Sequence, residues 1–174
     1  MVTEFINGGE LFTILRNNGR FSDERVRFYA AEIVVALEYC HVHGVMYRDL
    51  KTENIIFNAD GHIRLIDFGV SKGNLNPEIK GRSKTLIHGT LEYLAPEVVN
   101  KIGEYGFEID WYALGLVIYE MLTGGEHPFK IGNPDSETYT KDVCARIRAG
   151  NVPMKFFSPV EENLLKGLLH LDPE

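Results

Sequence analysis

The sequence predicts a mostly α-helical domain carrying one small β-hairpin. Three observations predict it. Five segments show helical apolar spacing or capping signals, and two short apolar runs are joined by an Asp-Gly turn. Hydrophobic residues make up 44% of the 174, enough to bury a core in one domain or slightly more.

Taken in order, residues 1–9 (MVTEFINGG) read as a strand end running into a glycine turn, and Glu10–Arg16 as a short helix. Ser22 is an N-cap with Asp23 and Glu24 in the first turn, where the helix dipole favours acids. Val26, Tyr29, Ile33, Leu37 and Cys40 follow at three- and four-residue steps, giving a helix that ends near Gly44. Ile55–Phe57 and His62–Ile66 read as strands, joined by a turn at Asp60-Gly61. Residues 73–83 read as an exposed loop, and Ile109–Thr123, Tyr139–Ala149 and Pro159–His170 as helices. Ser158, Pro159 and Glu161 form a capping box with proline at the first helical position.

Eighteen basic against 25 acidic residues give a net charge of −7. An acidic domain is a poor general binder of nucleic acid, whose sequence-independent affinity comes from basic groups on phosphates. Such a surface suits a basic peptide better. The longest apolar run, Trp111–Leu122, is too short to span a bilayer and contains Glu120. Cys40 and Cys144 lack metal-ligand spacing and read as reduced thiols; with no basic leader after Met1, they point to an intracellular protein of the cytoplasm or nucleus. His41 and His43, two apart on a helix end, point different ways and read as structural.

The chemistry sits around the hairpin. Immediately before it comes YRDLKTEN, residues 47–54, and immediately after it DFG, residues 67–69. A hairpin fixes the spacing between its ends, so both segments reach one rim. Asn54 and Asp67 are hard oxygen ligands of the kind Mg²⁺ takes alongside phosphates and water. Lys51 is a cation for a transferring phosphate, and Asp49 a carboxylate that can accept a hydroxyl proton. Phosphoryl transfer needs this inventory of positioning and charge neutralisation.

Arg48-Asp49-Leu50 with Asn54, Asp67-Phe68-Gly69 and Ala95-Pro96-Glu97 resemble the catalytic loop, metal-binding motif and loop-end motif of eukaryotic protein kinases, in order and in interval. The similarity covers residues 1–174 and implies ATP and Mg²⁺ as cofactors. Lys51 is similar to the serine/threonine kinases. Tyr47 (histidine in most kinases) and GTLEYLAPE resemble the AGC group; DFGVSK and LTGGEHPF resemble its ribosomal S6 and mitogen- and stress-activated branch. By this resemblance Thr90 hydrogen-bonds Asp49 and Lys51, and Asp110 braces the catalytic-loop backbone. The main chain of Glu4 and Ile6 holds adenine, Glu10 meets the ribose, and Glu53 belongs to the same nucleotide and substrate rim. Glu10, Glu53 and Glu120 match positions that receive substrate arginines, implying Arg about three residues before the Ser or Thr. Glu120, among apolar neighbours, could instead pair with an internal arginine. Phe68, Trp111 and Tyr112 read as core packing.

Arg48 suits activation by phosphorylation of the loop 71–88, which implies an upstream activating kinase. The group's phosphorylated position falls on Leu86 here, so the expected sites are Thr85 and the neighbouring Ser83. The family's glycine-rich loop, its strand lysine and the glutamate that pairs with it are not among these residues. The arginine that would pair with Glu97 is also missing. The resemblance therefore implies a kinase C-terminal lobe, with a hinge at 1–9 and the lobe at 10–174, expected to be inactive alone. Either a partial gene model or a genuine short product fits. Two classes of function follow: an ATP-dependent Ser/Thr kinase in the parent protein, or a non-catalytic interaction or decoy module.

Overall fold

The computed structural model describes residues 4–76, 88–100, 104–130, 132–154 and 157–172. In chain order the elements are α1 (Leu11–Asn18), α2 (Asp23–Val42), β1 (Ile55–Phe57), β2 (Ile63–Leu65), α3 (Pro96–Val99), α4 (Glu108–Thr123), α5 (Tyr139–Ala149) and α6 (Pro159–Leu168), with 3₁₀ turns at Thr52–Asn54 and Leu91–Tyr93.

Helix α4 is apolar on all sides, and from Ile109 to Leu122 every residue but Trp111 is buried. Such a helix has to be enclosed. Helices α2 and α6 enclose it, and the turn at Leu91–Tyr93 also touches it. Ser22 caps α2 by accepting from the Arg25 amide, and the helix buries Val26, Tyr29, Ile33 and Leu37. The buried stripe then continues to His41 rather than to the expected Cys40. The reason is polar: His41 reaches a buried carboxylate on α4, whereas Cys40 lies at the margin.

The hairpin pairs Ile55 with Leu65, Ile56 with Arg64 and Phe57 with Ile63. The Ile66 amide donates to the Asn54 carbonyl at 3.0 Å, prolonging the ladder by one rung towards the rim. Phe57 meets the ring of Tyr29 edge-on at 4.9 Å, and Glu32 of α2 accepts from the Ile63 amide. The hairpin is thereby clamped to α2, because a two-stranded sheet alone is marginal in water.

Among residues 4–9 no strand forms. Asn7-Gly8-Gly9 offers no β-branched side chain to hold a ladder. The segment instead runs beside β1, with the Phe57 amide donating to the Gly9 carbonyl and an isolated bridge from Glu10 to Ile56. Helix α1 consequently begins at Leu11 and not at Glu10. The two 3₁₀ turns and the four-residue α3 are too short to show periodicity in sequence. No helix among the described residues is long and apolar enough to cross a membrane.

Gly8 allows this close approach, since a Cβ there would lie 2.1 Å from the Phe57 carbonyl oxygen. Gly8→Ala is expected to cost about 1–3 kcal/mol in urea unfolding by forcing the backbone aside, with faster amide exchange in the hairpin; unchanged stability would show that the segment does not pack there.

Candidate active site

The loop between α2 and the hairpin is built on Asp110, in the first turn of α4 and 1% exposed. Its Oδ2 accepts from the Tyr47 amide at 2.9 Å and its Oδ1 from the Arg48 amide at 2.8 Å. His41 Nε2 adds a contact to Oδ2 at 2.7 Å. Together they hold Arg48 at φ +70°, a left-handed backbone that a side-chain-bearing residue adopts only under constraint. The next residues then alternate: Asp49 faces the rim, Leu50 is buried in the core, and Lys51 returns to the rim. Gly89 closes over this loop at φ +102°, and a Cβ there would meet the Arg48 carbonyl at 2.5 Å.

Asp49 gathers four donors. Oδ1 accepts from the Thr90 amide at 3.0 Å and the Thr90 hydroxyl at 2.8 Å. Oδ2 accepts from Asn54 Nδ2 at 3.0 Å and lies 3.1 Å from Lys51 Nζ. Lys51 also donates to Thr90 Oγ1 at 2.8 Å. A carboxylate has about four acceptor sites, so a further donor can enter only if one of these leaves. Lys51 is the one on a long, flexible stem.

Asn54 commits its amide nitrogen to Asp49, donating also to the Asp49 carbonyl at 2.9 Å. Its oxygen is the atom left for a cation. Asp67 follows directly on the rung joining Ile66 to Asn54; it is exposed, at φ +57°, with Oδ1 accepting from the Gly69 amide at 3.0 Å. The Tyr47 hydroxyl donates to the Ile66 carbonyl, fixing the backbone just before Asp67. Burial and the nearby carboxylates raise the Tyr47 pKa far above its usual range, so it remains a donor. An amide oxygen and a carboxylate fit Mg²⁺, which takes few protein ligands beside phosphate and water. No cluster of three or more His, Cys, Asp or Glu able to hold a metal occurs among the described residues. Phe68 is not core: it is 46% exposed, packing edge-on against Tyr47 at 5.0 Å because it lies on the open side of the hairpin.

Glu53 and Glu120 line one cavity of about 430 Å³ with Phe12, Tyr93 and His127. Glu10 is exposed beside β1 and does not line it. Glu120 has no arginine partner among the described residues; it accepts from the Tyr93 hydroxyl and, at 3.3 Å, from Thr52 Oγ1. Glu4 is exposed and Ile6 half-buried, and neither uses its backbone in a hydrogen bond among the described residues. Arg48 donates to the Val70 carbonyl at 2.7 Å and the Tyr105 hydroxyl at 3.2 Å. Ser83 and Thr85 lie outside the described residues. Glu97 has no cation beside it among the described residues, and burial raises its carboxyl pKa. Sequence reasoning missed Tyr93 and Thr52 as partners of Glu120 and Tyr105 as a partner of Arg48; no local signal links residues so far apart.

The protein kinase domain profile matches residues 1–174. The chain is 38% identical over 177 residues to protein kinase C zeta type of Oryctolagus cuniculus, covering 100% of this chain and 29% of that protein. It is 43% identical to serine/threonine-protein kinase SCH9 of Candida albicans, covering 100% of this chain and 21% of the relative. Human ribosomal protein S6 kinase alpha-3 is 42% identical over 99% of this chain and 22% of its own length. The chain thus spans between 21% and 29% of the length of these relatives, and the matches do not single out the S6 branch.

Asp110→Ala strips the acceptor from the buried Tyr47 amide and the half-buried Arg48 amide. It is expected to cost roughly 2–6 kcal/mol in chemical denaturation, at about 1–3 kcal/mol for each unpaired donor; a cost under about 1 kcal/mol would mean that the loop holds its shape without it.

Proposed function

The chain belongs to the protein kinase domain family, in its AGC serine/threonine group, and from that premise we propose that it is the C-terminal lobe of an ATP-dependent protein kinase acting on Ser or Thr in basic substrates. The observation that carries this reading is the convergence of Lys51, Asn54 and Thr90 on Asp49, at 2.8–3.1 Å, beside Asp67.

In this proposal the substrate hydroxyl takes the Asp49 Oδ2 site that Lys51 occupies at 3.1 Å, and Asp49 accepts its proton. Lys51 moves to the transferring phosphate, while Thr90 keeps Oδ1 occupied and fixes the carboxylate plane. Asn54 and Asp67 hold Mg²⁺, which when bound neutralises phosphate charge. The unengaged main chain at Glu4 and Ile6 supports adenine binding there, with Glu10 at the ribose. Glu10, Glu53 and Glu120 select arginine upstream of the acceptor, through charge-assisted pairs. Arg48 supports control by a phosphate placed on the loop containing Ser83 and Thr85, added by an upstream kinase.

The test is phosphotransfer from MgATP to a Ser/Thr peptide library, using this chain joined to the small lobe of an AGC relative. Selection for arginine about three residues upstream is expected, with near-zero turnover for the 174 residues alone; a library profile without basic preference would overturn the substrate class. In the same chimera Asp49→Asn and Asp67→Asn are each expected to lower kcat at least about 100-fold, since each removes a base or a ligand; near-normal kcat in either would reject its assigned role.

A further inference from the structure

Helix α4 buries two acids in opposite electrostatic settings. Asp110 lies in the first turn, where the helix dipole favours negative charge, and two backbone amides donate to it. Glu120 lies in the last turn, where the dipole disfavours negative charge, and is 2% exposed. Its donors are two hydroxyls, of Tyr93 and Thr52. Thr52 Oγ1 lies 3.3 Å from Glu53 Oε2 as well as 3.3 Å from Glu120 Oε2, so one hydroxyl hydrogen serves two carboxyl groups.

No cation lies within ion-pair distance of Glu120 among the described residues. Among the described residues the charged and titratable groups lining its cavity are Glu53 and Tyr93 from the two 3₁₀ turns, Tyr119 from α4 itself, and Glu126, His127 and Lys130 from the segment after α4. Lys130 is the one lysine or arginine lining that cavity among the described residues, and it is exposed. Burial pushes the His127 pKa down to about 4, so that ring is neutral. Burial first, and Glu53 in addition, push the Glu120 carboxyl up to about 8 against the smaller opposing effects of Tyr93, Thr52 and Lys130.

We propose that Glu120 carries a proton while the cavity is empty, and that a substrate guanidinium seating between Glu53 and Glu120 displaces it. The Glu120 O–H bond breaks, the proton passes to solvent, and the guanidinium neutralises the carboxylate left behind. Recognition of the basic residue is thereby coupled to proton release. This inference rests on the basic-substrate reading above and adds the protonation change that reading does not require.

The experiment is titration calorimetry of this chain at pH 7 with a Ser peptide carrying upstream arginine and with its citrulline counterpart, each in phosphate and in Tris, whose ionisation heats differ. Release of close to one proton per arginine peptide is expected at pH 7, falling towards zero near pH 9. Over that interval the affinity is expected to rise about tenfold, because only the ionised fraction of Glu120 is competent. Glu120→Gln is expected to bind without proton release, and the wild-type buffer comparison decides even if that variant does not fold. Arginine-peptide binding with equal heat in both buffers would overturn proton coupling and leave the basic-substrate reading standing. An arginine peptide that binds no better than citrulline, or not at all, would overturn both.

Discussion

The buried carboxylate of Asp110 is the constraint on which the candidate site depends. A charge this deep costs several kcal/mol to desolvate. Here the Tyr47 and Arg48 amides and His41 offset that cost, and the first turn of α4 adds its dipole. The reciprocal effect is on the loop. Two consecutive amides pointing at one carboxylate leave Arg48 in a left-handed conformation, and that single backbone choice sends Asp49 to the rim and Leu50 into the core. Lys51 and Asn54 then reach Asp49 from the same loop, and Thr90 from the segment that Gly89 brings close.

The hairpin supplies the second half of the geometry. Its ladder ends on the rung between Ile66 and Asn54, so the residue after Ile66, Asp67, emerges beside the loop. Tyr47 ties the two halves together by donating to the Ile66 carbonyl from within the core. A tyrosine at this position reaches across where a smaller side chain would not. The charged loop and the apolar strand adjoin in sequence because the polar groups need a rigid apolar anchor at once, and Ile55 and Phe57 are that anchor.

Much of this was legible in sequence where the cause is local. Tyr139–Ala149 has its expected bounds, and the Ser158–Glu161 capping box forms as its residues imply. The hairpin and its turn follow from Asp60-Gly61 between apolar runs. The interval between the loop and Asp67 indicated a shared rim, and the family resemblance supplied Thr90 and Asp110. What could not be read is long-range and polar. Thr52 and Tyr93 meet Glu120 only because α4 passes beneath both 3₁₀ turns, and neither turn has a periodic signal. Among the described residues those hydroxyls, and no internal arginine, are the partners of Glu120. Phe68 looked like core because it is aromatic, yet its position past the end of β2 leaves one face open.

Amide hydrogen exchange at Tyr47 and Arg48 tests the organising role of Asp110 most directly. If Asp110 holds the loop, both amides are protected as strongly as the central amides of α4 and open only with the core. Exchange at Tyr47 and Arg48 on the timescale of exposed loops, while α4 stays protected, would contradict it.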